Sequence, residues 1–208
     1  MVYFLALGVI LLDLKIKRLS ELDNSYQAEV AQLFVEGYYK DLKFLTENRK
    51  KLSHGLEHIF NADIIYVALD NRKIVGMLAC ANNKKRALTL NKQEYVKHFG
   101  YFKGRIAFNI MSKIFHAPLD YSDDTTYIEV VATGETSRGK GVASSLMKYV
   151  FEKLSYTNYV LEVTNVNKGA LTLYEKLGYQ EFKRVQANFP KLAGFNYSIY
   201  MKKSKINL

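Results

Sequence analysis

The chain holds a single cysteine, Cys80, so no internal disulfide framework can form. That usage suits a reducing compartment, and a cytoplasmic protein is expected. Cys80 follows an apolar run and reads as a buried structural thiol rather than a nucleophile. Only two prolines occur, which argues against a flexible interdomain linker. Internal repeats and low-complexity stretches are absent, and 208 residues fit a single domain able to bury a core without metals or crosslinks. No apolar run reaches the ~20 residues that span a bilayer, so no membrane partner is expected. The longest, at 2–12, lacks a preceding Lys or Arg and a convincing following cleavage site, so a secretory signal is not expected. Residues 1–13 read as an apolar N-terminal extension to a domain covering 14–208.

Charge of one sign predominates. The net charge is +10, which suits acidic ligands or partners. The basic residues are scattered, however, in short clusters such as Arg49-Lys50-Lys51 and Lys84-Lys85-Arg86. Aromatic-basic signatures of nucleic-acid binding are missing, so a solvated basic surface is the preferred reading and no nucleic-acid partner is expected.

Residues 14–19 alternate as a half-buried strand does. Asn24-x-x-Gln27 has the form of a capping box before a helix carrying Tyr26, Val30, Leu33, Phe34 and Tyr38 on one face. A second helix is predicted over 50–60. It contains His54-x-x-Glu57-His58, a literal H-x-x-E-H, with both histidines on one helical face. Gly55 weakens that helix and no third ligand stands out, so two surface or pocket histidines are expected, and no metal. Apolar runs at 64–69 and 74–79 flank Asp70-Asn71-Arg72-Lys73, a hairpin turn. Asn91 caps a short helix, and a longer one follows with Ile106, Ile110, Met111, Ile114 and Phe115 on one side, ending near Pro118. This helical insertion, at about 91–117, reads equally as scaffold or as a lid.

The organising stretch is 125–156. A β-branched run at 126–133 passes through Ser137-Arg138-Gly139-Lys140-Gly141 into a helix with Val142, Leu146, Tyr149, Val150 and Leu154 on one face. Strand, glycine turn and helix together leave the first-turn N–H groups free beside a positive helix end, an anion site of the phosphate-binding kind. Arg138 and Lys140 add charge there. Two motifs fit it imperfectly. A Walker A loop from Gly134 needs Ser or Thr where Gly141 stands, and a dinucleotide fingerprint needs glycine where Ser144 stands.

Arg138-x-x-Gly141-x-Ala143 fits a third pattern. It resembles the coenzyme loop of the GNAT family, the Gcn5-related N-acetyltransferases. Asn167-x-x-Ala170-x-x-x-Tyr174-x-x-x-Gly178-Tyr179 resembles that family's second conserved segment at the expected distance. The resemblance covers about 14–202 and implies an α/β fold: a mixed, twisted central sheet of six or seven strands flanked by helices, with the insertion before the central strand. It implies acetyl-CoA as co-substrate, its pyrophosphate held by Arg138, Gly139, Lys140, Gly141, Val142, Ala143 and Ser144. The pantetheine arm would lie along Val131, Ala132 and Thr133, with Asn167 and Tyr174 also in contact.

Acyl transfer by direct attack needs a bound donor, a neutral amine, oxyanion stabilisation and a proton for the thiolate. By resemblance Tyr174 supplies the proton. Glu129, on the central strand, is a candidate base, and strand alternation predicts that it shares a face with Val131 and Thr133. The expected function is acetyl transfer to a primary amine of a small molecule or peptide. A non-catalytic acyl-CoA sensor and a P-loop nucleotide-binding protein are the alternatives. A homodimer is left open.

Overall fold

The structure, a computed structural model, describes residues 13–205, so the apolar run at 2–12 lies outside the described residues. Seven strands form one sheet: β1 (Lys15–Arg18), β2 (Ile65–Asp70), β3 (Lys73–Ala81), β4 (Thr125–Thr133), β5 (Asn158–Thr164), β6 (Gln180–Gln186) and β7 (Tyr197–Ser204). Their spatial order is β1-β2-β3-β4-β5-β7-β6. Neighbours run antiparallel except β4 and β5, which are parallel.

Helices cover both faces. On one side lie α1 (Tyr26–Leu42), α2 (Arg49–Leu56), α3 (Lys92–Phe99) and α4 (Tyr101–Phe115), over a core that includes Val67, Met77, Ala79, Val130 and Ala132. On the other lie α5 (Val142–Lys153) and α6 (Lys168–Lys176), over Ala68, Leu78, Cys80, Ile128 and Leu161. A short α7 (Pro190–Ala193) precedes β7. Covering both faces explains why β2 and β3 are apolar throughout rather than alternating. Burial pushes the Cys80 thiol up to about 12, as expected of an inert structural cysteine. Among the described residues no helix is long and apolar enough to cross a membrane.

The β2–β3 turn places Asn71 and Arg72 at φ 48° and 68°, the left-handed pair that a two-residue hairpin requires. The α1 start differs from the capping box. The helix opens at Tyr26, the Asn24 side chain caps nothing, and the Asp23 carboxylate instead accepts from the Ser25 N–H at 2.9 Å. The second helix ends early as α-helix at Leu56, and Glu57–Ile59 tightens into a 3-10 turn.

Only part of the apolar side of α4 is its inner face. Ile106, Ile110 and Ile114 are 56%, 43% and 57% exposed, while Gly104, Ala107 and Met111 are buried. A Cβ on Gly104 would stand 2.4 Å from the Tyr95 carbonyl oxygen. Small residues let α4 lie flush on α3, and that close fit outranks the larger isoleucine stripe in setting the helix's rotation.

Candidate active site

β4 is hydrogen-bonded to β3 along most of its length, but to β5 only over Thr125–Ile128 against Asn158–Leu161. Beyond Ile128 the two parallel strands part. The cleft between them is the chain's central feature. Backbone groups of β4 that point away from β3 there have no strand partner. The Tyr38 hydroxyl fills one such place: it donates to the Val131 carbonyl and accepts from the Val131 N–H, both at 3.3 Å. Tyr38 sits at a kink in α1, with φ −113° and ψ 18°, which directs it into the cleft. Enclosure pushes its phenol up to about 12.

Immediately after β4 comes the turn that the glycines mark. Gly139 and Gly141 take φ 74° and 80°, and a Cβ at either would meet nothing within 4 Å. Dihedrals, then, and not crowding, demand glycine here. Gly141 is the N-cap of α5 and offers no side chain to satisfy the helix's first N–H groups. Among the described residues the amides of Gly139, Gly141, Val142, Ala143 and Ser144 have no backbone acceptor, and the first closing bond is Ser145 N–H to the Gly141 carbonyl at 2.9 Å. Arg138, Gly139, Lys140 and Gly141 are exposed, while Val142 is buried and anchors the helix to the sheet. Glu36 of α1 steadies the turn's approach by accepting from the Glu135 N–H at 2.7 Å.

The second arm is α6. Asn167 caps it, accepting from the Ala170 N–H at 3.2 Å, and Gly178 ends it at φ 87°. Tyr174 is 7% exposed and packs beside Tyr179 with ring centroids 6.0 Å apart. Burial raises its phenol above the ordinary value, and the neighbouring Tyr38 adds to this. Tyr174 therefore stays protonated throughout the neutral range, but gives up its proton less readily than a free phenol. Val131, Ala132 and Thr133 lead directly into the turn, although the Ala132 side chain faces the opposite side and abuts Gly37 of α1.

Glu129 departs from the expected face. The β3 register steps from Ala79↔Val130 to Cys80↔Ile128, so Glu129 is the extra residue of a β-bulge. The bulge turns Glu129 to the side occupied by Val130, away from Val131. Its side chain is 4% exposed. It accepts from Arg86 Nε at 2.8 Å and from the Ala87 N–H at 2.7 Å, and Arg86 Nη2 also contacts it. The Lys84-Lys85-Arg86 cluster is thus no uniform solvated patch. Lys84 pairs with Asp123 at 3.1 Å, Lys85 with Asp63 at 2.7 Å, and Arg86 with Glu129.

A cavity of about 910 Å³ opens where β4 and β5 part. Its walls come from α1 (Phe34, Tyr38, Asp41), from the end of α4 and the segment after it (Phe115, Asp120, Tyr121), and from strands β4 to β7. The helical insertion is therefore a wall of the cleft as well as scaffold. Within it Glu162 lies directly across from Tyr200 in the β5–β7 register and accepts from the Tyr127 hydroxyl at 3.3 Å. Tyr121 stacks on Tyr127, and Phe182 meets Tyr200 edge-on. Four carboxylates, Asp41, Asp120, Glu129 and Glu162, face this space, against the paired Arg86 and Lys183. The cleft is acidic and aromatic in a chain of net charge +10. A larger cavity, about 1060 Å³, lies behind the turn between α1, α2 and the β2–β3 hairpin, but its acids serve the scaffold: Glu29, for one, accepts from the Ile74 N–H at 3.0 Å.

Sequence reasoning missed the cleft residues, because Tyr38, Tyr127, Glu162 and Tyr200 come from four separate elements. The one local signal is the odd acidic residue in an otherwise largely apolar strand, Glu129 in β4 and Glu162 in β5.

A mixed sheet that splits at its parallel pair, beside a turn of largely free amides, is the arrangement that the GNAT resemblance implies. Comparison with known proteins agrees. The sequence pattern of the acetyltransferase (GNAT) family matches residues 27–179, and the chain belongs to that family. The family uses acetyl-CoA as its acetyl donor. A solved N-acetyltransferase from Staphylococcus aureus Mu50 is similar at 18% identity and TM-score 0.57, covering 91% of this chain and 100% of its own. The ribosomal-protein-S18-alanine N-acetyltransferase of Escherichia coli is similar at 14% identity and TM-score 0.53, covering 94% and 98%. PH1933 from Pyrococcus horikoshii OT3 gives 19% identity and TM-score 0.55, covering 94% and 100%. At these identities the likeness is one of fold. No curated protein matches the sequence.

Proposed function

We propose that the chain is an N-acetyltransferase that carries acetyl from acetyl-CoA to an amine bound in the acidic cleft between β4 and β5. The observation that supports this best is the junction itself: a turn whose Gly139, Gly141, Val142, Ala143 and Ser144 amides have no backbone acceptor, at the end of the same strand that walls an acidic, aromatic cavity. The coenzyme's pyrophosphate would rest on those amides, with Arg138 and Lys140 nearby as counter-charge. The pantetheine arm would run along Val131 to Thr133, exchanging the Tyr38 hydroxyl for its own amides. Asn167 would border the coenzyme from the cap of α6.

The acceptor is a primary amine, of a small molecule or a peptide terminus. Before reaction it is an ammonium, which the cleft's carboxylates and the faces of Tyr127 and Tyr200 attract. One proton must leave before nitrogen can attack. Both oxygens of Glu129 accept from Arg86 or Ala87, so Glu129 shapes the wall. Glu162 holds only weaker phenolic contacts, and we assign it the proton, directly or through water. Nitrogen then attacks the thioester carbon. The resulting oxyanion is met by the Val131 N–H, an interaction of the kind whose loss lowers rates ~10²–10³-fold. The C–S bond breaks, Tyr174 protonates the departing thiolate, and the second proton shed by nitrogen as the amide forms returns through solvent to the phenolate.

Free-thiol release from acetyl-CoA with a panel of amines tests the reading, alongside calorimetry with acetyl-CoA and with ATP–magnesium. Turnover with an amine supports it. Coenzyme binding with no turnover on any amine would leave a sensor, and a preference for ATP–magnesium would overturn it. Tyr174→Phe and Glu162→Gln should each lower kcat ~10²–10⁴-fold, with acetyl-CoA affinity nearly unchanged. A Tyr174→Phe enzyme as fast as the parent removes that phenol from the reaction.

A further inference from the structure

We propose that His58, Glu94 and His98, joined by His54, form a site for a divalent transition-metal ion that ties α2 to the α3–α4 pair. The chain has four histidines, and three of them meet at this one place. The ligand atoms of His58, Glu94 and His98 all lie within 4.8 Å of one another. His98 Nε2 and Glu94 Oε2 are 3.3 Å apart. The His54 ring stands edge-on to His98 at 5.4 Å between centroids, and the His58 ring lies nearly parallel to it at 6.0 Å.

The arrangement follows from two matched spacings. His54 and His58 are four residues apart across the end of α2, and Glu94 and His98 are four apart on α3, so each helix presents a pair of ligands to the other. Gly55 is what lets the pairs meet. A Cβ there would stand 2.6 Å from the Phe99 ring and 3.2 Å from the His98 Cβ. The glycine that weakens α2 as a helix is the one that admits α3 to contact. The H-x-x-E-H motif by itself offers no third ligand, and no metal is expected from it. The fold brings that ligand from Glu94, 36 positions beyond His58 in the chain.

Imidazole nitrogens with one carboxylate favour zinc, nickel or cobalt over magnesium or calcium. Around tetrahedral zinc, ligand atoms ~2.0–2.1 Å from the ion lie about 3.4 Å from each other. The Glu94–His98 pair already has that separation, and the remaining ligands close the gap by side-chain rotation. Glu57 Oε2 stands 3.6 Å from His54 Nδ1, a partner of the kind that orients the opposite ring nitrogen toward an ion. Lys97 Nζ now sits 3.3 Å from Glu94 Oε2, but its side chain is 68% exposed and free to leave. None of these residues lines the β4–β5 cleft. The ion's role would be to brace α2 against the insertion whose far end walls that cleft.

The test uses the full chain stripped with chelator, then titrated with zinc or cobalt(II) alone. Saturable binding of one ion per chain at micromolar concentration is expected, with visible cobalt d–d bands and a raised Tm with zinc. His98→Gln and His58→Gln should each weaken zinc by more than the ~10–100-fold that loss of an outer partner causes. His116→Gln, which alters the histidine outside the cluster, should change nothing. Binding absent at micromolar metal, or unaffected by both His98→Gln and His58→Gln, overturns the site. His58 is exposed, so its variant serves should His98→Gln fail to fold, and circular dichroism identifies that case.

Discussion

The turn proposed for the donor and the cleft proposed for the acceptor share strand β4, yet they are built in opposite ways. The turn offers backbone groups. Its amides come from consecutive residues, its glycines meet no neighbours, and its shape depends on two left-handed dihedrals. The cleft offers side chains drawn from 34 to 200 in the chain, and its shape depends on strand register, a bulge and one buried ion pair. A site made of dihedrals is disturbed locally and leaves the fold standing. A site made of register and packing cannot be disturbed without disturbing the sheet. Substitutions in the two places should therefore separate into losses of affinity and losses of stability.

The largest effect is expected in the cleft. Arg86→Met leaves the Glu129 carboxylate buried with only the Ala87 N–H, and removing one partner of a buried pair typically costs ~3–5 kcal/mol. Thermal unfolding should fall by roughly 10 °C. Adding Glu129→Leu should restore much of that loss, because the orphaned charge is then gone. A double variant no more stable than Arg86→Met would show that the pair shapes the cleft by something other than charge compensation.

The turn should respond differently. Gly141→Val forces a β-branched residue to φ 80°, at roughly 1–3 kcal/mol of strain. Since a Cβ there touches nothing, the chain is expected to fold and to lose acetyl-CoA affinity, about 10-fold for each 1.4 kcal/mol. Gly141→Asn, which tolerates the left-handed region, should lose much less. Equal losses for Val and Asn would mean that side-chain bulk, rather than backbone conformation, governs the turn.

This contrast also explains what the sequence could reveal. The turn was legible because Arg138-x-x-Gly141-x-Ala143 writes its backbone geometry into adjacent letters. The strands were legible for the same local reason: Ile64 to Leu69 and Ile74 to Ala79 are apolar runs around a turn. The face of α4 was not, since Ile106 and Ile110 lost to the close approach that Gly104 permits, and glycine gives no hydrophobic signal. Glu129 was seen but misplaced, because one extra residue at a bulge reverses the alternation and leaves no trace in the letters around it. Tyr38 looked like one more apolar position on α1. Only the kink and the parting of β4 from β5 set its hydroxyl on Val131.

Tyr38 is where turn and cleft meet, and it carries the smallest predicted effect. Tyr38→Phe removes two hydrogen bonds to Val131, worth about 1 kcal/mol net, so the variant should be slightly less stable at neutral pH. If the donor must displace this phenol, acetyl-CoA should bind a few-fold tighter to the variant. Alkali separates the roles further. The folded protein holds the phenol neutral up to about pH 12, whereas an unfolded tyrosine ionises near 10. Its contribution is therefore complete below about pH 10 and disappears as pH rises toward 12, since only the unfolded state gives up the proton there. Unfolding followed across that interval should show the parent losing stability more steeply than Tyr38→Phe. Parallel curves together with unchanged coenzyme affinity would mean that the phenol rests on β4 without guarding it.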